Sequence, residues 1–456
     1  MTIAAPEPSP AEPSSPELPV TNPSPSPSGA VAGWSLALRV AFRFVFAYLF
    51  IYIFVFPAGV IPGTRWISNG YTEGWNAIIP WVGKHLLRLS TDITVQPNGS
   101  GDTTYNYVQV LCYLVLAAVA AIVWSVVDRR RTQYARAHDF LRIYVRYSLA
   151  MTMLSYGFAK VFKMQFPFPS AERLMQPFGD SSPMGLLWTF MGYSTGYNLF
   201  TGGAEVLGGL LLLFRRTTTL GALVVIGVMS NVVALNFFYD VPVKLYSSHL
   251  LLMGVFLLSP DLRRLANVLV LNRPTEAVVL RTPFQRPWLE RGSRAVKVLF
   301  AGWIIYSVGS GNWEGRSQYG DAAPRHALYG VYEVESFTRN GEVLPLLAGD
   351  ATAWRNMMVG TRGRLAIRFM NGTSKRFRMK DDAEKKTLSL SATSYPGEQD
   401  TETAELTWSQ PDPEHLTVEG SFRNATIHVR LKKLDESKFL LVNRGFNWIQ
   451  EYPFNR

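Results

Sequence analysis

Residues 198–216 read NLFTGGAEVLGGLLLLFRR, an apolar run with one carboxylate near its middle and two arginines at its end. An ionisable side chain at the centre of a membrane helix costs roughly 2.5–3.5 kcal/mol, so Glu205 is a functional candidate by default. It shares one helical stripe with Asn198, Thr201, Gly202, Gly208 and Gly209. Small residues permit close packing, which places the carboxyl at a contact between helices. The alternative is a structural hydrogen-bonding group, protonated or paired with a basic side chain.

Similar apolar runs recur along the first two thirds of the chain. Hydrophobic residues make up 48% of the sequence and charged residues 17%, against about 25% charged in an ordinary soluble domain. A bilayer core about 30 Å thick needs roughly 20 helical residues. The pattern predicts an α-helical integral membrane bundle of about seven spans, the fourth bent near Gly192 or Gly196. The predicted spans cover residues 34–57, 105–127, 141–163, 185–214, 218–239, 244–259 and 295–310.

The basic residues predict the orientation of this bundle. They gather at the start of the first span, in the loop 128–142, at the end of the fourth span and in the segment 261–294. If the spans alternate, all four places fall on one side of the membrane. The positive-inside rule then predicts a multi-pass inner (cytoplasmic) membrane protein with a cytoplasmic N-terminus. We therefore interpret the net charge of +11 as a signal of membrane topology. The expected partner is the lipid bilayer, and we expect no nucleic-acid partner.

The remaining segments complete the predicted domain organisation. Residues 1–30 are rich in Pro and Ser, without apolar periodicity, and are predicted to be disordered. The other predicted units are residues 31–140 with two helices and an outer loop, 141–265 as a four-helix bundle, 266–294 as a basic cytoplasmic linker, 295–324 with the seventh helix, and 325–456 as a periplasmic β domain.

From about residue 325 the hydrophobic periodicity changes to two. Eight alternating segments follow, from LYGVYEVESF (328–337) to FLLVNRGFNWI (439–449), and turn formers such as Asn340-Gly341 separate them. Consecutive strands without an intervening helix predict an all-β antiparallel barrel or sandwich, with a general likeness to lipocalin-type barrels. Such a barrel either holds a small apolar ligand or is filled by its own side chains.

Several polar side chains are predicted to meet in the outer half of the bundle. Pro242 cannot continue a helix, so YDVPVK (239–244) is expected to be a tight turn. An ion pair between its two charged residues would close this turn. The other groups have plain alternatives as interhelical hydrogen bonds or a structural histidine, although a neutral histidine is also suited to proton transfer. The candidate residues are Tyr156, Lys160, Glu205, Asn231, Asn236, Asp240, Lys244 and His249.

The loop 164–188 is also predicted to lie outside. It is rich in Phe and Pro and holds Arg173 and Asp180. We interpret it as an ordered lid or interfacial segment over the bundle, and the alternative is a plain connector. The single cysteine, Cys112, excludes an internal disulfide or a CxxC redox pair, and the scattered histidines lack ligand spacing, so no metal site is expected.

Residues 141–265 resemble the DoxX/DoxD family of small four-helix membrane proteins. The resemblance rests on RYSLAMTMLSYGFAKVFKMQFP (146–167), TGGAEVLGGLLLLFRRTTTLGAL (201–223) and VVALNFFYDVPVKLYSSHLLL (232–252). The family's Gly-x-x-Lys pattern matches Gly157 and Lys160. The resemblance implies a membrane component linked to oxidoreductase systems, and a quinone is then a possible ligand in an outer-half pocket.

Two functional hypotheses follow from the sequence. The first is a DoxX-like membrane component of an oxidoreductase or quinone-linked system, whose outer domain docks a redox partner protein or a ligand. The alternative is a non-enzymatic envelope protein, in which the bundle anchors a lipid- or protein-binding barrel. No catalytic residue is assigned by the sequence, and no cofactor is evident from it.

Overall fold

The computed structural model describes residues 33–95, 99–277, 286–393 and 400–455. The predicted disordered segment 1–30 lies outside these described residues. A helical part precedes a β domain. The helices are α1 (Leu36–Tyr52), α2 (Arg65–His85), α3 (Thr104–Val127), α4 (Ala135–Val161), α5 (Ala171–Met175), α6 (Pro183–Tyr193), α7 (Thr195–Leu213), α8 (Thr218–Phe238), α9 (Lys244–Leu258), α10 (Leu262–Leu269) and α11 (Pro287–Tyr319).

Among the described residues, three helical segments are long and apolar enough to cross a membrane: Thr104–Val127, Arg215–Phe238 and Lys244–Leu269. The predicted number of about seven spans is not supported. α1 has only 17 residues, while α4 and α11 are long but carry several charges. The predicted fourth span is divided into α6 and α7 at Ser194, whose hydroxyl accepts a hydrogen bond from the backbone N–H of Tyr197.

α2 lies where the sequence predicts only an outer loop. Trp75 and Ile79 of this helix pack with Val108 and Tyr113 of α3. The helix contains Pro80 and has exposed polar residues, so it does not stand out in a search for continuous apolar runs. α2 therefore covers one side of α3 without being one of the membrane-length segments.

The small residues of α7 bring its backbone against α4, as their helical stripe predicts. A Cβ atom added to Gly202 would lie 2.7 Å from the carbonyl oxygen of Gly157, and one added to Gly157 would lie 2.8 Å from the carbonyl oxygen of Gly202. Neither backbone atom can move away as a flexible side chain would. The contact between α4 and α7 therefore depends on the absence of a side chain at both positions.

We expect Gly202→Ala to destabilise the protein by about 1–3 kcal/mol, because the added methyl group overpacks this contact. The matched control is Gly203→Ala on the same helix, where a Cβ atom meets nothing within 4 Å. The measurement is the melting temperature of each purified variant in detergent. Equal melting temperatures for the two variants would contradict the close contact.

The β domain is a closed barrel of eight antiparallel strands. β1 pairs with both β3 and β9, and each strand from β3 to β8 pairs with the next. β2 extends β1 as a short hairpin through the predicted Asn340-Gly341 turn. The strands are β1 (Gly330–Arg339), β2 (Glu342–Leu344), β3 (Trp354–Val359), β4 (Arg364–Phe369), β5 (Ser374–Asp382), β6 (Thr387–Ala392), β7 (Thr403–Asp412), β8 (His415–Phe422) and β9 (Ala425–Lys433), followed by the short helix α12 (Leu440–Asn443).

The interior of the barrel is filled by side chains from the strands. Trp354 lies 6.1 Å from Phe337 and 5.1 Å from Phe422, measured between ring centroids. The buried Tyr332 hydroxyl donates a hydrogen bond to the carbonyl oxygen of Leu328 at 3.1 Å, and burial raises the pKa of this phenol to about 12. Of the two alternatives that the sequence leaves open, the structure has the filled core, as is usual for small eight-stranded barrels.

The strand prediction is wrong at two places. Residues 439–449 do not form a strand, because pairing of β1 with β9 closes the barrel before this segment begins. The eighth strand is instead β3, which lacks visible alternation because both of its faces are buried. Met357 belongs to the barrel interior, whereas Met358 packs outside the barrel against Ala171 of α5.

Candidate functional site

The central feature of the helical part is a buried ion pair between α4 and α7. The Lys160 ammonium donates hydrogen bonds to both carboxylate oxygens of Glu205, at 2.8 and 2.7 Å. Only 8% of the lysine side chain and 3% of the glutamate side chain are exposed. Gly202 lies against the stem of Lys160, so the glycine contact and the ion pair belong to the same interface. Of the alternatives that the sequence leaves open for Glu205, the structure has the pairing with a basic side chain.

Because a buried charge is costly without its partner, we expect Glu205→Gln alone to lower the free energy of unfolding by about 3–5 kcal/mol. The double variant Lys160→Met/Glu205→Met removes both charges at similar volume and should recover most of that loss. Chemical unfolding of both proteins in detergent measures the difference. An unchanged stability for the single variant would show that the two charges do not depend on each other.

A half-exposed tyrosine connects the ion pair to α9. Tyr156 lies one turn before Lys160, and the Lys160 ammonium is 5.8 Å from the centroid of its ring. The same ring lies 6.2 Å from the ring of Tyr246 on α9. Tyr156 is 38% exposed, so this side chain lies partly at the surface of the helical part beside a buried cation.

His249 is part of α9, and its ring contacts α1. Its Nδ1 lies 2.6 Å from the carbonyl oxygen of Leu245, which can only accept, so Nδ1 carries the proton and Nε2 is the acceptor. The Tyr48 hydroxyl then donates to Nε2 at 2.5 Å. The ring of Tyr52 stacks on the imidazole with 4.1 Å between centroids and 7° between planes. A phenol hydrogen-bonded to a neutral imidazole is an arrangement through which a proton can be passed.

These contacts form two neighbouring groups, seven side chains from four helices in all, which we together call the polar cluster. Tyr246 of one group and His249 of the other lie three residues apart on α9. Four of its members, Tyr156, Lys160, Glu205 and His249, are among the residues singled out from the sequence. Tyr48, Tyr52 and Tyr246 were missed, because tyrosines in an aromatic-rich helix do not stand out as polar. The spacing of Tyr48 and Tyr52, which places both on one face of α1, was the available signal. The members of the polar cluster are Tyr48, Tyr52, Tyr156, Lys160, Glu205, Tyr246 and His249.

The remaining helical candidates lie outside this cluster. The predicted ion pair of the turn is confirmed: Lys244 Nζ lies 3.0 Å from Asp240 Oδ1, but the aspartate side chain is 85% exposed. Asn236 Nδ2 donates to Ser247 Oγ at 3.0 Å, which is the interhelical hydrogen bond considered as its plain alternative. Asn231 lies exposed on α8.

A carboxylate that the sequence analysis missed positions the start of α9. Asp102 accepts hydrogen bonds from the backbone N–H groups of Lys244, at 2.7 Å, and of Leu245, at 2.9 Å. It also lies 3.9 Å from the Lys244 ammonium. Asp102 therefore caps a helix that is distant in sequence and fixes α9 against the start of α3.

We expect Asp102→Ala to lower the free energy of unfolding by about 1–2 kcal/mol, because α9 loses the acceptor for two of its first N–H groups. Asp240→Ala, which removes only the exposed partner of Lys244, is the matched control and should have a smaller effect. Thermal unfolding of both variants checks this order. A larger loss for the control would mean that the exposed pair, not the cap, fixes α9.

The two outer-loop candidates take part in the junction between the loop and the barrel. Arg173 on α5 donates to the side chains of Gln176 and Ser181, while Asp180 is exposed in a short 3₁₀ turn. Next to them, Glu172 pairs with Arg376 of β5 at 2.7 Å. The interpretation of this loop as an ordered segment is confirmed, but it contacts the barrel, and among the described residues no contact joins Arg173 or Asp180 to the polar cluster.

Backbone and apolar contacts strengthen this junction. Arg368 of β4 donates to the carbonyl oxygen of Met175 at 3.0 Å. Ala171 packs with Val331 and Met358 from the outside of the barrel. The same loop is attached to the helices by Lys163, whose ammonium lies 2.8 Å from an Asp321 carboxylate oxygen beyond the end of α11. Within the described ranges, no group of three or more His, Cys, Asp or Glu side chains is placed to hold a metal ion.

The fold and the polar cluster together define a class: a helical protein with membrane-length apolar helices and an appended, filled eight-stranded barrel. No protein-family model matches the chain, and no solved structure matches it. The chain is 36% identical over 123 residues to a protein named "Uncharacterized protein YwoB" from Bacillus subtilis (strain 168), a match that covers 27% of this chain and 78% of that protein. Through this region the chain belongs to the same family as YwoB.

Proposed function

We propose that the chain is a DoxX-like, multi-pass protein of the inner (cytoplasmic) membrane and a component of an oxidoreductase or quinone-linked system. The observation that carries this proposal is the polar cluster, in which a buried ion pair with its neighbouring tyrosine rings and a phenol–imidazole hydrogen bond both include residues of α9. Ionisable groups are rarely retained among membrane helices without a role in ligand or proton handling.

The contacts at the two ends of the helices support the proposed alternation. Arg39 at the start of α1 donates to the carbonyl oxygen of Arg131 in the loop before α4, and Arg142 near the start of α4 lies 3.8 Å from Asp261 after α9. These four groups belong to the end that we assign to the cytoplasm. The starts of α3 and α9 meet each other, and the ends of α4 and α11 meet each other, at the end that we assign to the outside.

The residues present fit a quinone-like head group, which is flat, aromatic and carries two carbonyl oxygens. The half-exposed Tyr156 offers a phenol donor beside the Lys160 ammonium, and its ring neighbours that of Tyr246. When bound, a quinone would supply two-electron redox chemistry. In this proposal the Tyr156 hydroxyl would donate a hydrogen bond to one carbonyl oxygen of the head group. Tyr48 holds a proton that His249 can accept.

In the same proposal the barrel docks a partner protein outside the membrane. Its filled interior favours recognition through the outer surface, and the ion pair between Glu172 and Arg376 ties it to the loop after α4. The second candidate function is a non-enzymatic envelope protein with the bundle as its anchor. The contact of Lys160 with both oxygens of Glu205 favours this candidate, because a fully paired buried charge can have a structural role without any ligand.

Purified full-length protein in mild detergent tests the quinone proposal. We expect bound quinone in the extracted lipids and saturable binding on titration with a short-chain ubiquinone. Tyr156→Phe keeps the ring but loses the donor, so its dissociation constant should rise by about tenfold. Asn231→Ala, an exposed change on the same bundle, is the control and should bind as the unmodified protein does.

The two candidate functions give different results in this experiment. Protein that contains no quinone and binds none on titration removes the quinone proposal and leaves the envelope anchor. Quinone binding that is unaffected by Tyr156→Phe would place the site elsewhere and would disconnect it from the polar cluster. Under the anchor hypothesis, substitutions on the outer surface of the barrel should cause the larger loss of function in cells.

A further inference from the structure

A second ionisable group is buried in α4, far from the polar cluster. Arg146 is 6% exposed. Its Nη1 donates to Thr218 Oγ1 at 3.3 Å, and its guanidinium carbon lies 4.8 Å from the centroid of the Tyr147 ring. Its Nε is buried and has no hydrogen-bond partner among the described residues. Unlike Lys160, Arg146 forms no ion pair with any carboxylate in the described part of the chain.

Two further cations lie on the elements packed around Arg146. Arg215 is in the turn between α7 and α8, three residues before the Thr218 that Arg146 contacts. Lys297 is on α11, one turn before Phe300, whose ring packs edge-on against Tyr147 at 5.5 Å. Mutual electrostatic repulsion links Arg146 with Arg215, and Lys297 with both of them. Arg146 is buried, whereas Arg215 and Lys297 are exposed. The three positive charges therefore extend from the interior of the bundle to its surface.

Two carboxylates near this end of the bundle are engaged by other arginines. Asp261 accepts from Arg264 at 2.9 Å and lies 3.8 Å from Arg142. Glu290 pairs with Arg294 one turn away on α11. The positive charge around Arg146 is therefore not balanced by these carboxylates. A buried cation without a counter-charge is costly, and a bound anion would offset that cost.

We propose that Arg146, Arg215 and Lys297 bind a phosphate group, either on the head group of an anionic phospholipid or as a free phosphate. Arginine presents a planar fork of donors that matches phosphate oxygens, and lysine adds a compact charge. The three residues lie towards the arginine-rich end of the bundle, where basic pockets between membrane helices bind anionic head groups. This site goes beyond the proposed quinone function, because Arg146 is 14 residues from Lys160 along α4, about 21 Å at 1.5 Å per residue.

Thermal unfolding of the full-length protein in a neutral detergent tests this proposal. We expect phosphatidylglycerol to raise the melting temperature when phosphatidylcholine does not, or inorganic phosphate to raise it when chloride at equal ionic strength does not. Arg146→Gln should weaken the binding of the effective ligand by at least about tenfold. Without ligand it should match or exceed the stability of the unmodified protein, because it removes an unbalanced buried charge.

Lys297→Gln is the second variant. It leaves the buried arginine in place and should also weaken binding of the phosphate group. If Arg146→Gln does not fold, Lys297→Gln alone tests whether this site binds phosphate. Arg136→Gln on the exposed face of α4 changes the charge equally and should not affect binding. A response to phosphatidylglycerol alone identifies a lipid head group, and a response to inorganic phosphate identifies a free anion. A protein that responds to neither, or that responds equally after Arg146→Gln and Lys297→Gln, would overturn the proposal.

Discussion

The backbone contact between α4 and α7 is the constraint on which the helical part depends. Because Gly157 and Gly202 lack side chains, the two helices come close enough for Lys160 to reach both oxygens of Glu205. The charges then need no water or lipid head group for compensation, and the remaining helices can cover them. The end of α4 continues into the loop that contacts the barrel, so this packing also positions the β domain.

The two ends of the bundle differ in how their charges are compensated. At the end near the barrel, three lysines have carboxylate partners: Lys160 has Glu205, Lys163 has Asp321, and Lys244 has Asp102 and Asp240. At the opposite end, Arg43 is satisfied by neutral groups on α3 and the following loop, including Ser125 and Tyr134. That end keeps an excess of positive charge, the property from which the positive-inside rule follows.

The sequence predicted features that depend on a strong local or energetic signal. Glu205 was identified because a charge in an apolar helix is costly. Most strands of the barrel were identified from hydrophobic residues at every second position and from Asn-Gly turns. The sequence did not predict α2 or the cap of α9 by Asp102, since both depend on contacts between segments distant in sequence. It missed β3 for a related reason: α5 covers the outer face of that strand, so its alternation disappears.

The filled interior of the barrel limits which ligands the β domain can bind. Protein interiors are packed at nearly constant density, so a ligand inside the barrel would have to displace rings such as Trp354 and Phe422 from their contacts. The outer surface carries no such restriction, and α5 occupies only part of it. Recognition by this domain is therefore a matter of surface contacts. Any effect on the helical part would have to pass through contacts such as the junction at Ala171, Glu172 and Met175, or through the end of α11, where Arg362 of the barrel lies over the Tyr319 ring.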